Sequence, residues 1–146
     1  EKISSTLIKS FLSEGFVEQA NQALGYEYSI SGTVIKGDQR GSKIGFPTAN
    51  LNIDKNIQIP KNGVYKVDVL LNGNLYQGIM NIGYKPTVSE GVKQSLEVHI
   101  FDFNDDVYGA DLTVQFKKFI RDEIKFSSID ELTQQISKDI EDINKN

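Results

Sequence analysis

From Val64 to Gly83 the chain reads VYKVDVLLNGNLYQGIMNIG, and this stretch limits the possible folds more than any other. Tyr65, Val67, Val69 and Leu71 fall on one side of an extended chain, and Lys66 and Asp68 on the other, a period of two that defines a half-buried strand. Asn72-Gly73-Asn74 then forms a tight turn into the next apolar run, LYQGIMNIG, which makes the pair a hairpin. Two further runs repeat the logic. SLEVHIFDF sets Leu96, Val98 and Ile100 against Glu97, His99 and Phe101, and NDDVYG turns the chain into ADLTVQFKKFIR, where Leu112, Val114 and Phe116 share a face. Antiparallel strands linked by hairpins, with no helical crossover between them, predict a mainly β domain of five or six strands, a barrel or a sandwich.

Helical patterns stand only at the two ends. Ser4, Ser5 and Thr6 offer N-caps to a segment carrying Leu7, Ile8, Phe11 and Leu12 that ends at Gly15, and a second segment, Val17 to Leu24, stops at Gly25. At the other end, Ser128 and Glu131 form a capping-box pattern. Ile129, Leu132, Ile136, Ile140 and Ile143 follow at spacings of three and four, the mark of an amphipathic helix over about 128–144. The expected organisation is a helical segment over 1–25, a barrel over 26–121 and a terminal helix, with no repeat or low-complexity linker.

Bulk properties remove several function classes. The chain has 146 residues, enough for one domain with a substantial core. Its net charge of −4 and pI near 5.0 oppose a nucleic-acid binder held by a basic surface. Cysteine is absent, which excludes disulfides, thiolate chemistry and cysteine-based zinc sites and fits a reducing compartment. No apolar run approaches the ~18–20 residues of a membrane span, and no signal peptide is visible. The expectation is a cytoplasmic protein without membrane or nucleic-acid partners. Met80 is the only methionine, so the chain reads as a processed product or an excised piece.

The segment RGSKIGFPTANLNI, Arg40 to Ile53, is where chemistry is suggested first. It fits neither G-x-x-x-x-G-K-[ST] nor G-x-G-x-x-G. Gly37, Gly41 and Gly45 let backbone N–H groups approach a ligand, and Arg40 and Lys43 add positive charge, although the same glycines would also serve a solvated turn. Pro47 stiffens the exit from this turn and keeps Phe46 extended. Thr48 and Asn50 then project to the same side, a hydroxyl and an amide oxygen that suit Mg²⁺ if a nucleotide brings the negative charge, or else a polar face packed on a neighbouring strand. Glu97 lies on the polar face of an apolar strand and is either a solvated carboxylate or a general base. His99, the single histidine, reads as a packing or hydrogen-bonding residue rather than a metal ligand.

Taken in order, GSKIGFPTANL, NIGYKPT, LEVHIFDF, VYG and IRDEIKF resemble the riboflavin kinase family, in particular the C-terminal module of the bacterial bifunctional riboflavin kinase/FMN adenylyltransferases. The likeness runs from about Tyr28 to Asp139. ISSTLIK resembles the Ser-Ser-Thr-x-Ile-Arg motif near the end of the adenylyltransferase module, with Lys9 where arginine is usual. The resemblance implies that residues 1–25 are a remnant or linker from that module, and that 26–146 form the kinase domain. It implies a six-stranded antiparallel, Greek-key type barrel with a C-terminal helix.

It also implies an activity: transfer of the ATP γ-phosphoryl group to the ribityl 5′-hydroxyl of riboflavin, giving FMN and ADP, with Mg²⁺ accompanying the nucleotide. Thr48 and Asn50 would hold the metal, and Glu97 would be the catalytic base. Gly37, Lys43, Gly45, Pro47, Thr48, Asn50, Ile100 and Tyr108 would line the nucleotide site. Arg121 and Phe126 would reach the flavin. Two rivals come from other classes: an OB-like module for single-stranded nucleic acid, which the missing basic stripe on the strands opposes, and a non-catalytic flavin- or nucleotide-binding barrel. The implied partners are riboflavin/FMN, ATP/ADP and a covalently linked adenylyltransferase module, with the excised module expected to be a monomer.

Overall fold

In a computed structural model, the structure describes residues 5–35, 49–54, 56–87, 91–103, 107–123 and 129–144, of which 85–87, 91–93, 129–133 and 144 are described as backbone alone. Two helices open the chain, α1 (Ser5–Ser13) and α2 (Val17–Leu24). Six strands follow: β1 (Ser29–Ile35), β2 (Ala49–Asn52), β3 (Gly63–Leu71), β4 (Asn74–Thr87), β5 (Gly91–Ile100) and β6 (Asp111–Arg121). The C-terminal helix α3 (Ile129–Asn144) comes last.

The strands close into one antiparallel barrel in the order β1-β2-β5-β4-β3-β6. Spatially, β6 lies beside the first strand of the β3-β4-β5 meander, which is the Greek-key arrangement. The β3–β4 hairpin is set by its turn. Asn72 and Gly73 both take positive φ, 52° and 81°, as a two-residue primed turn requires, and its backbone twist matches that of the paired strands.

Alternation decides which side chains fill the barrel. Tyr65, Val67, Val69, Met80, Ile82, Leu96, Val98, Ile100, Leu112, Val114 and Phe116 all point inward and form one core with Ile30, Val34, Ala49 and Leu51. Tyr65 meets the rings of Phe116 and Phe119 edge-on, at 5.2 and 5.3 Å between centroids. The interior is therefore filled.

Both ends of the chain are packed on this barrel. Leu12, Val17 and Ala20 of the helical pair belong to the same apolar core. Asn21 stitches α2 in place: its amide nitrogen donates to the Phe116 carbonyl at 2.8 Å and its amide oxygen accepts from the Tyr28 N–H at 2.7 Å. At the other end, α3 covers part of the outer wall, where Val64 and Ile79 form a second cluster with Ile143, Ile140, Phe101 and Ile120. Strict alternation from Phe116 would carry Ile120 inward. Two register shifts between β3 and β6, at Val64/Tyr65 and Lys66/Val67, instead set Phe119 against the core and Ile120 under α3.

Candidate active site

The outer wall carries a polar row assembled from three strands. Ala49 and Leu51 face the core, so Asn50 faces out; Leu96 and Val98 do the same for Glu97, and Met80 and Ile82 for Asn81. Pairing then aligns them, because Asn50 stands directly opposite Glu97 on one side and Asn81 directly opposite it on the other. Opposite residues in an antiparallel pair have Cβ atoms about 4.5–5.5 Å apart. The row is thus Asn50–Glu97–Asn81, a carboxylate between two amides. It continues through Ile35 beyond Asn50, and through Val64 to Arg121 beyond Asn81. Asn50 is only 9% exposed, whereas Glu97 and Asn81 are half-buried.

Other expected site residues lie near the same wall or on its rim. Tyr108 is exposed in a turn that reaches back to β1: the Gly109 N–H donates to the Val34 carbonyl at 2.9 Å, and the Val34 N–H donates to the Ala110 carbonyl at 2.9 Å. Gly109 takes φ +84° there. This turn therefore stands against the end of β1, from which the chain runs into residues 36–48. Ile100 ends β5 with its side chain in the core, so it has only main chain to offer a ligand outside the barrel. Gly37, Lys43, Gly45, Pro47, Thr48 and Phe126, with Arg40 and the Ser128 cap, lie outside the described residues.

Arg121 is firmly held. Its Nε donates to both carboxylate oxygens of Asp139, at 3.1 and 3.2 Å, and Nη2 to Oδ2 at 2.8 Å, while Nη1 donates to the Asp122 carbonyl at 3.0 Å. Gln135 completes the cradle, donating to Asp139 Oδ1 at 2.9 Å. The Arg121 guanidinium thus joins β6 to α3, and two of its five N–H groups remain for other acceptors. His99 packs its ring against Phe101 at 5.7 Å, as a packing residue does. Among the described residues no three His, Cys, Asp or Glu side chains gather as a metal cluster.

Asn81 and Glu123 lie inside two stretches that carry the resemblance, NIGYKPT and IRDEIKF, but nothing there singles out their side chains, and Asp139 carries no motif. Asn81 could have been found by counting back from the Asn72-Gly73 turn, which sets it opposite Val64 on the outer face. Asp139 has no local signal, since its partner lies 18 residues away. Glu123 lies across Gly83, so close that a Cβ at that glycine would collide with the carboxylate. A separate charged group, Lys117 with Glu27 at 2.5 Å and Asp68 at 3.5 Å, bridges the start of β1 to β3 and β6. Its hydrogen bond to Glu27 holds the ammonium above the ordinary lysine range.

The fold is a closed, filled antiparallel barrel of six strands with an amide–carboxylate–amide row on its outer wall. More narrowly, the chain belongs to the riboflavin kinase family, whose flavokinase description matches residues 24–146. It is 50% identical over 141 residues to the bifunctional riboflavin kinase/FMN adenylyltransferase of Bacillus subtilis, covering 95% of this chain and 45% of that protein. With the Listeria monocytogenes protein of the same description, identity is 44% over 142 residues, covering 97% and 45%. The chain thus spans a little under half the length of the curated relatives it matches.

Among solved structures, a crystal structure described as a macrolide-efflux protein from Streptococcus pneumoniae superposes with a TM-score of 0.90 at 39% identity, over 96% of this chain and 46% of that one. No helix among the described residues here is long and apolar enough to cross a membrane. A riboflavin kinase from Trypanosoma brucei shares the fold, with a TM-score of 0.51 at 24% identity over 77% of this chain and 74% of that one.

Proposed function

We propose that this chain phosphorylates the ribityl 5′-hydroxyl of riboflavin with ATP, giving FMN and ADP. Family membership supports the reaction class. The observation that carries the site assignment is the register: residues 50 and 97, far apart in sequence, face each other on the outer wall. Phosphoryl transfer depends mainly on positioning and charge stabilisation, and a wall that is rigid because its other face is the barrel core suits that demand.

Glu97 is the proton acceptor in this reading. As the ribityl oxygen forms its bond to the γ-phosphorus, the hydroxyl proton passes to the Glu97 carboxylate and the bond from phosphorus to the ADP oxygen breaks. Backbone N–H groups of residues 37–45 would hold the phosphates, with Lys43 adding positive charge. Gly37, Gly45, Pro47, Ile100 and Tyr108 line the nucleotide, and Arg121 and Phe126 meet the flavin, Arg121 through the N–H groups it does not give to Asp139 and Asp122.

Thr48 and Asn50 would hold Mg²⁺. The Asn50 amide oxygen is a hard donor on a poorly exposed wall beside a carboxylate, a donor set that fits a cation already carrying nucleotide phosphates. Bound there, Mg²⁺ would neutralise phosphate charge. The longer protein would join this module to an adenylyltransferase module, work in the cytoplasm and use the present chain as a monomeric unit. Incubation with riboflavin and Mg-ATP, followed by chromatography, tests the reaction. Formation of FMN is expected, and its absence from folded protein would leave a flavin- or nucleotide-binding barrel.

A further inference from the structure

Gly83 has no side chain, yet the outer wall above it is occupied. Its neighbour Ile82 is fully buried in the core, so Gly83 turns its outer side to the wall two positions beyond Asn81 along β4. A Cβ built there would run into the Glu123 carboxylate, which lies over the glycine, and Gly83 is buried. Across β5 the opposite residue is Ser95, which the inward Leu96 leaves on the same outer face as Glu97. Beside the row Asn50–Glu97–Asn81 there is thus a second one, Ser95–Gly83, with the Glu123 carboxylate on top. The two residues before Glu123 are anchored: Arg121 is clamped by Asp139 of α3, and Asp122 pairs with Lys61 at 3.2 Å.

We infer that Glu123 recognises the acceptor of the phosphoryl group, its carboxylate accepting hydrogen bonds from secondary hydroxyls of the ribityl chain. This rests on the kinase reading above, with Glu97 at the attacking 5′-hydroxyl. The direction of the acceptor follows from the strands. β1 ends at Ile35, opposite Asn50, and β2 begins at Ala49, opposite Val98. Both ends of segment 36–48 therefore lie toward the Ile100 end of β5, and a nucleotide held by that segment approaches Glu97 from there. In-line transfer sets donor and acceptor on opposite sides of the phosphorus, so the acceptor extends the other way, toward Ser95 and Gly83. Two residues of strand cover about 6.7 Å, the stretch that the rest of a ribityl chain spans.

A carboxylate suits this end of the acceptor. It only accepts hydrogen bonds, and its two oxygens can meet both donors of a vicinal diol. The polyol is uncharged, so it meets no repulsion there. Gly83 has its part in the same device, because a side chain at that position would push the carboxylate off the wall.

The test combines flavin fluorescence quenching with steady-state kinetics on Glu123→Ala, Gly83→Ala and the double variant. Riboflavin is compared with lumiflavin, which has the same ring system and a methyl group in place of the ribityl chain. Glu123→Ala is expected to weaken riboflavin binding about 10- to 100-fold and to raise its KM to match. Lumiflavin binding and the KM for ATP should stay within about two-fold of the parent. Glu123 is exposed, so its thermal midpoint should stay near that of the parent. Gly83→Ala should act in the same direction through the displaced carboxylate, and the double variant should bind no worse than Glu123→Ala alone. If the parent forms FMN and Glu123→Ala binds riboflavin like the parent, the recognition role is wrong and the kinase reading stands. Equal losses for riboflavin and lumiflavin also overturn it, since the ribityl chain would then not be what Glu123 reads. If the folded parent forms no FMN, the kinase reading falls, and the role of Glu123 falls with it.

Discussion

Removing the Asp139 carboxylate tests how α3 is fastened to the barrel. Asp139 is 3% exposed and receives hydrogen bonds from Arg121 Nε, Arg121 Nη2 and Gln135. In Asp139→Ala the guanidinium keeps only its bond to the Asp122 carbonyl. Breaking one side of a buried pair costs about 3–5 kcal/mol. The Arg121 side chain is 19% exposed, so water reaches part of it and the lower end applies, about 3 kcal/mol. At about 2.1 cal/mol/K of unfolding entropy per residue over the 146-residue chain, that lowers Tm by roughly 10 °C. Urea unfolding followed by circular dichroism measures the same loss directly, which suits a chain without tryptophan. The double variant Arg121→Met/Asp139→Leu removes both charges and should recover most of the stability, to within about 1 kcal/mol of the parent. A loss below about 1 kcal/mol in Asp139→Ala, or a double variant as unstable as the single one, would refute the buried pair as the fastening of α3.

Three further outcomes are expected. Glu97→Gln keeps the shape of the wall and removes the proton acceptor, so turnover should fall ~10²–10⁴-fold while stability stays within about 0.5 kcal/mol; a folded variant that phosphorylates riboflavin within a few-fold of the parent sinks the base role. Asn50→Ala should raise the magnesium concentration needed for ATP use far more than it weakens riboflavin binding, and an unchanged magnesium titration counts against the metal assignment. Tyr65 is fully buried and donates its hydroxyl to the Lys61 carbonyl at 2.5 Å; burial first, and the Asp122 charge second, push its phenol well above the ordinary range. A folded-state value above the unfolded one, about 10, means stability that is complete below pH 10 and lost as pH rises beyond it. Tyr65→Phe should therefore be about 1 kcal/mol less stable at pH 7 and lose less between pH 9 and 11, and parallel curves for the two proteins would contradict this.

Much of the fold was legible because strands and turns are local. The alternation over 65–71, 96–100 and 112–116 named the inward residues, and every one of them is buried. Asn72-Gly73 could form the hairpin turn because an asparagine and a glycine tolerate positive φ. Gly25 ended α2 for the same reason, with φ 81° and its N–H on the Asn21 carbonyl. Motif order carried the family, since five short stretches in sequence are hard to produce by chance, and the outward face of Glu97 followed from its inward neighbours.

Partners distant in sequence were a different matter. Alternation says which way Asn50 and Glu97 face, but not that β2 would settle beside β5, because many strand orders bury the same apolar faces. Pairing of β2 with β5 selected one order, and only then did Asn50 join Glu97, which the β4–β5 pairing already sets opposite Asn81. The bulged register of β3 and β6 is likewise a tertiary result: it turned Ile120 toward α3 and set Arg121 opposite Val64, against the period that the first half of β6 displays. Asp139 shows the limit most plainly. In sequence it is one acid on an amphipathic helix, and it becomes the partner of Arg121 only because α3 must cover Val64 and Ile79, a contact dictated by apolar area on another part of the chain.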